Sequence, residues 1–276
     1  MALTLAHTYR DGKDNVNGFW IQPKLDGVRA VFDGQKLTSR TGKEFHPPSW
    51  WLEDLARLQE EVGHPLDGEL VCHMQIADCY DENFGHWCTI DSFNDVVSTV
   101  RRKAPDKRWN EIVLAVFDYV TDDDTPYRER YEKLRCVEKS RSPSFLMPIV
   151  GLIQVPDPES EWLLGCVPPG HEGIMLRNPD TPYERKRTRN LLKVKPVVDE
   201  EFVVLDVQAG VGKHGGRMGA LFCERDGETF KVGTGFKDVD REQPDWVGKT
   251  ITVEYFELTP RGVPRHPRFK GVRDYE

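Results

Sequence analysis

IQPKLDGVRAVFDG, residues 21–34, decides how this chain is read. Residues 18–25 and 28–40 have the apolar, β-branched character of strands, and Asp33-Gly34 marks a tight turn between VRAVF and KLTSR. Lys24 therefore sits where one strand ends and the next begins, followed by Leu-Asp-Gly and, five positions on, by Arg29. Taken alone it is either a solvated side chain or the group that does the chemistry.

Working outward, SWWLEDLARLQEEV (49–62) has helical apolar spacing with a serine at its start. LDGELVC (66–72) reads as a strand, Ser92–Arg102 as a helix capped by Ser92 with Asp95 in its first turn, and EIVLAVFDYV (111–120) as a buried strand. Residues 127–140 form a charged helix, and FLMPIV, GIMLR and LLKVK are short strands. A mostly antiparallel mixture of this kind is an α+β domain. After Pro196 the pattern changes to short alternating runs, EFVVLDVQ, ALFCER, TFKVGTGF and KTITVEYFEL, with one short helical candidate near 238–247. Five or so strands in eighty residues predict a small β-barrel of the OB type. The boundary falls near Pro196–Asp199, giving domains 1–196 and 197–276.

The 276 residues are 38% apolar and 30% charged, enough for two packed cores and too mixed for a disordered chain. No apolar run is long enough to cross a membrane, and the first residues lack the basic flank and apolar stretch of a signal peptide. The six cysteines form no C-x-x-C pair, which suits a reducing cytoplasm. Cys72, His73, Cys79, His86 and Cys88 are zinc-ligand types, but their spacing matches no structural zinc site, and incidental Cys and His are expected. The net charge of −8 argues against a nucleic-acid partner only if charge is spread evenly. Residues 185–195 carry six Lys or Arg, and 261–273 carry five with no acid. Phosphate binding follows such local patches. GVGKHGGR (210–217) lacks the first glycine and the Ser/Thr of a Walker loop and precedes a strand, so it reads as a connecting loop.

K-x-D-G-x-R at Lys24–Arg29 resembles the signature of covalent nucleotidyltransferases, and further elements follow in that superfamily's order: SRTGKEF (39–45), LDGEL (66–70), VFDY (116–119), EGIMLR (172–177) and LLKVKP (191–196). Each match is weak; their ordered succession over nearly the whole chain is not. GHEGIMLRNPD with YERK, and GVPRHPRF near the end, are most similar to ATP-dependent DNA ligases of bacteriophage type. The resemblance implies an adenylation domain of antiparallel sheets with helices, an OB barrel, ATP and Mg²⁺ as cofactors, and a nicked DNA duplex bound by a monomer inside the cell.

It also implies roles. Lys24 attacks the α-phosphorus of ATP and carries AMP; only a neutral amine attacks, and the cations Lys193 and Lys195 disfavour its protonation. Two apart on a strand, those lysines point the same way. Asp26 is a catalytic carboxylate, Glu69 a ribose or metal contact and Glu172 a metal contact. Arg29 holds ribose or phosphate, Phe117 stacks on adenine and Gln22 hydrogen-bonds the adenine amine. Arg40 grips the 5′-phosphate of the nick and the AMP, with Arg185, Lys186 and Arg187 on the DNA backbone. Arg273 of the final element orients pyrophosphate, although the Asp-Lys pair that commonly closes that element is absent; Lys270 or Arg268 could substitute for its cation. An RNA ligase or a capping guanylyltransferase is the alternative within the superfamily, and a binding protein with a decayed site the alternative outside it.

Overall fold

A computed structural model describes residues 2–72, 92–105, 107–140, 153–154, 163, 167, 172–259 and 261–273. The chain separates into two compact units, Met1–Lys195 and Pro196–Glu276. In the first, the strands are β1 (Leu5–Thr8), β2 (Trp20–Lys24), β3 (Val28–Phe32), β4 (Leu37–Ser39), β5 (Leu66–Cys72), β6 (Ile112–Tyr119), β7 (Ile153–Gln154), β8 (Gly173–Arg177) and β9 (Arg187–Val194). The helices are α1 (Ser49–Val62), α2 (Ser92–Val100) and α3 (Tyr127–Ser140).

Two sheets organise this unit, one in the order β1-β9-β8-β2-β7 and one in the order β4-β3-β5-β6. All pairs are antiparallel except β1 with β9. Strands β2 and β3 belong to different sheets, so Leu25-Asp26-Gly27 carries the chain across. Gly27 makes that crossing possible: a Cβ there would lie 2.3 Å from the Leu70 carbonyl oxygen.

The helices cover one face of the second sheet. Trp51, Leu55, Leu58 and Val62 recur at helical spacing along α1 and join Val96, Val100 and Leu134 in the main core. Helix α1 starts after Pro48, which supplies no side-chain cap; Ser49 is already helical, so it is not the cap that the sequence suggests. The helix ends on Gly63 at φ 74, whose N–H returns to the Gln59 carbonyl. Helix α2 stops at Val100 rather than at Arg102. Residues 145–150 (FLMPIV), together with His73, Cys79, His86 and Cys88, lie outside the described residues, and no metal-binding cluster of His, Cys, Asp and Glu occurs among those described. Nor is any helix among them long and apolar enough to cross a membrane.

The second unit comprises β10 (Val198–Ala209), β11 (Met218–Arg225), β12 (Glu228–Val232), the one-turn helix α4 (Asp238–Arg241), β13 (Thr250–Tyr255) and β14 (Arg268–Val272). The strand order is β12-β11-β10-β13-β14, all antiparallel. The ladder does not close into a continuous barrel among the described residues. A single parallel bridge, Thr234 with Arg268, links its two ends. Alternate residues of β10 (Phe202, Val204), β11 (Leu221, Cys223) and β13 (Ile251, Val253) point inward onto Trp246 and Phe269. Residues 210–217 form the β10–β11 connection with a 3-10 turn, as expected of a loop.

Candidate active site

The facing sides of the two sheets of the first unit enclose a cavity of about 310 Å³. Lys24, the last residue of β2, stands opposite Gly173, the first residue of β8. Gly173 has φ +151, and a Cβ there would lie 2.1 Å from the Val194 carbonyl oxygen. Glycine thus lets β8 and β9 close at the point where Glu172 enters the site. The Glu172 carboxylate accepts from the ammonium of Lys24 on one oxygen and from that of Lys195 on the other. Lys193, on β9 opposite Met175, lines the same cavity and has no carboxylate partner among the described residues. Burial, and the charges of Lys24, Arg187 and Arg40, hold the Lys193 ammonium below the usual lysine range.

The opposite wall comes from the second sheet. Arg29 on β3 pairs across the ladder with Glu69 on β5. The Arg29 guanidinium forks onto Asp67, Nε to Oδ1 at 2.9 Å and Nη2 to Oδ2 at 2.6 Å, and donates to the Thr4 carbonyl at 2.6 Å. Burial alone would lower its pKa, but the Asp67 charge and hydrogen bonds raise it, so it stays cationic. Glu69 has no such anchor among the described residues: desolvation pushes its carboxyl up to about 7, against the pull of Lys24 and Arg29. Phe117 projects into the cavity from β6, with Arg29 5.3 Å from its ring centre.

Of the residues singled out in the sequence, Gln22, Lys24, Arg29, Arg40, Glu69, Phe117, Arg187, Lys193 and Lys195 line this one cavity. Glu172 adjoins it through the two lysines. Asp26 does not line it but lies near enough to raise the Glu69 pKa. Gln22 is 3% exposed. The structure separates the four residues read as DNA contacts. Arg40 and Arg187 face the cavity, whereas Arg185 forks onto Asp122 and Lys186 lies 3.3 Å from Glu184. In the second unit Arg268 lies 4.0 Å from Glu254, Arg273 2.9 Å from Glu201, and Lys270 pairs with Asp199. Each cation of that final element thus faces an acid within its own unit.

Sequence reasoning missed Arg177, which lines the cavity and ion-pairs with buried Asp118. It also missed the contribution of β1. Leu5 and Ala6 line the cavity, and the carbonyls of Thr4 and Ala6 accept from Arg29 and Arg187. Both arginines were visible as charges; these two acceptors are backbone atoms that no side-chain pattern reveals.

Residues 4–195 match the family model of the ATP dependent DNA ligase domain, and residues 209–273 match that of the DNA ligase OB-like domain. This chain belongs to the ATP-dependent DNA ligases. The ligase is 31% identical to the DNA ligase of Haemophilus influenzae over 265 residues, 95% of this chain and 89% of that protein. It is 28% identical to an African swine fever virus DNA ligase over 285 residues, and spans 63% of that longer protein. A solved structure of a Lig E DNA ligase superposes with a TM-score of 0.81 at 28% identity, covering 99% of both chains. The catalysed reaction is therefore ATP-dependent DNA ligation.

Proposed function

We propose that Lys24 is the nucleophile of this ligase and that the unit Met1–Lys195 performs the adenylation, sealing 5′-phosphate/3′-hydroxyl nicks in three transfers. The single observation that carries this is the Lys24–Glu172–Lys195 clasp at the edge of a cavity lined by Arg29, Arg40, Arg187 and Lys193. Such an excess of cations around one amine suits a polyphosphate tail. In the first step Lys24 Nζ, having lost its proton, attacks the α-phosphorus of ATP; a phosphorus–nitrogen bond forms and pyrophosphate leaves. In the second, an oxygen of the nick's 5′-phosphate attacks that phosphorus and Lys24 departs, giving a DNA-adenylate. In the third, the 3′-hydroxyl attacks the 5′-phosphorus and AMP departs. Each transfer is in-line, so positioning and charge neutralisation supply most of the rate.

Glu172 holds the Lys24 side chain at the cavity and is placed to take its proton. Lys193 and Lys195 hold the phosphates, Phe117 stacks on the base and Gln22 hydrogen-bonds its edge. Arg40 and Arg187, at the cavity, hold the 5′-phosphate of the nick, and Asp26 tunes Glu69. Arg185 and Lys186 contact the duplex backbone, and Arg268 and Arg273 of the OB-like unit attend the leaving pyrophosphate.

Magnesium fits Glu69, because a carboxyl raised to about 7 by desolvation gains from an adjacent cation. Glu172 can take the ion only by exchanging one of its ammonium partners. When bound, the ion neutralises phosphate charge. The working form in this reading is a monomer that acts inside the cell on nicks left by repair or replication.

The test is incubation with α-labelled ATP, GTP or NAD⁺ and Mg²⁺, followed by denaturation. Label from ATP alone, absent in Lys24→Ala, supports the proposal. Label from GTP or NAD⁺, or ATP label that survives in Lys24→Ala, overturns it. Nicked duplexes with DNA or RNA strands then define the polymer.

A further inference from the structure

Phe117 sits at an irregularity in the β5–β6 ladder. Asp67 pairs with Asp118, but the next pair is Gly68 with Val116, so Phe117 is the extra residue of a β-bulge. The flanking residues show the consequence. Val116 and Tyr119, three apart, both point into the helix-covered core, so Phe117 and Asp118 turn together to the other face. Phe117 enters the cavity. Asp118, 1% exposed, lies behind it, where its carboxylate accepts from Arg130 Nε at 2.8 Å, from Arg130 Nη2 at 3.1 Å and from Arg177 Nη1.

Arg177 is the only one of these two arginines that reaches the cavity among the described residues. Its guanidinium lies 4.1 Å from the ring centre of Tyr127 and 5.8 Å from that of Phe117. Tyr127 in turn donates its hydroxyl to the Phe117 carbonyl at 3.0 Å, which fixes the bulged backbone. Arg29, anchored by Asp67, stands 5.3 Å from the same Phe117 ring. The two cross-strand aspartates therefore hold, from behind, the two guanidinium groups that flank Phe117.

We propose that Asp118 is a positioning residue for the nucleotide base, acting through Arg177 to fix the ring of Phe117 in the orientation that accepts a purine. The proposal rests on the reading of Phe117 as the base-stacking surface. A guanidinium tethered to a buried carboxylate and lying against the Tyr127 ring has few available poses, and the Phe117 ring beside it is confined accordingly. Without the carboxylate, Arg177 is free to turn into the cavity and the ring loses its support.

The experiment measures binding of two probes to the full chain: α,β-methylene-ATP, which cannot transfer AMP, and ribose 5-triphosphate, which has the same tail and no base. Asp118→Asn is expected to weaken the first about tenfold and leave the second unchanged, and its effect should not add to that of Phe117→Leu, as befits residues sharing one task. General damage to the fold would weaken both probes alike, and that result overturns the proposal, as does simple additivity. If Asp118→Asn does not fold, Arg177→Lys, which keeps the charge and removes the planar group, makes the same comparison with the same criteria. A base-specific loss in Phe117→Leu with none in the Asp118 or Arg177 variant sinks this inference alone. A wild-type protein that binds both probes equally sinks the stacking role of Phe117, and this inference with it.

Discussion

Replacing Glu69 by glutamine should stabilise the protein at alkaline pH and leave it nearly unchanged at acid pH. The Glu69 carboxyl titrates at about 7 in the folded chain, against 4.5 for a free glutamate, because desolvation outweighs the attraction of Lys24 and Arg29. A raised carboxylate pKa means that the folded state holds the proton more tightly than the unfolded state. Stability is then intact below pH 4.5, falls as the pH rises from there to about 7, and stays reduced above it. At 1.36 kcal/mol per pK unit, the difference between 4.5 and about 7 corresponds to about 3 kcal/mol. Glutamine keeps the shape and has no proton to lose, so the deficit disappears. The assay is denaturant unfolding of wild type and Glu69→Gln in EDTA, at pH 5 and at pH 8.5, following the transition of the first unit. Because part of the loss is already complete at pH 5, the variant should gain about 2–3 kcal/mol relative to wild type between the two pH values. Parallel pH dependences would refute the reasoning, since some other group would then carry the charge that Glu69 is said to bury. Adding Mg²⁺ to the wild type at pH 8.5 should recover part of the deficit, whereas the variant should respond less.

Gly173→Ala should destabilise the first unit by about 2 kcal/mol or more and abolish labelling from ATP, because its Cβ would meet the Val194 carbonyl oxygen at 2.1 Å and its φ is +151. Unfolding curves check the first effect and the adenylation assay the second; a variant as stable as wild type would show that β8 and β9 can separate at little cost. Thiol labelling should divide the cysteines by burial. Cys136 is exposed and should react at once, whereas Cys223, sealed in the OB-like core with its pKa pushed up by burial to about 12, should react only on unfolding, as mass mapping of labelled peptides would show.

Much of the frame was readable in advance. Helices α1 and α3 and strand β5 occupy the residues their periodicity marked, since each has one apolar face against a core that selects that period. The second unit was likewise readable from alternation, as where inward Ile251, Val253 and Tyr255 alternate with Thr250, Thr252 and Glu254. Strand β1 was not. LAHT carries little pattern, and it is a strand because its backbone pairs in parallel with β9 far along the chain. Arg177 was equally hidden, since a charged residue ending GIMLR reads as a surface terminus, while its burial depends on Asp118 contributed by another sheet.

The order of residues by itself determined which groups were available: an amine at position 24, paired lysines, two glutamates, an aromatic and a run of cations, with glycines at 27 and 173 where backbones must close up. That is chemical inventory, and it survives without coordinates because each group's reactivity is its own. Tertiary structure alone decided which of those groups meet. It set Arg187 in the cavity and Arg185 on Asp122, two residues apart in a stretch of uniform charge. It also turned Phe117 and Asp118 to one face through a bulge that no strand period foretells. Charge and periodicity are local properties of a chain, whereas ion pairing and ladder register depend on what another strand brings opposite.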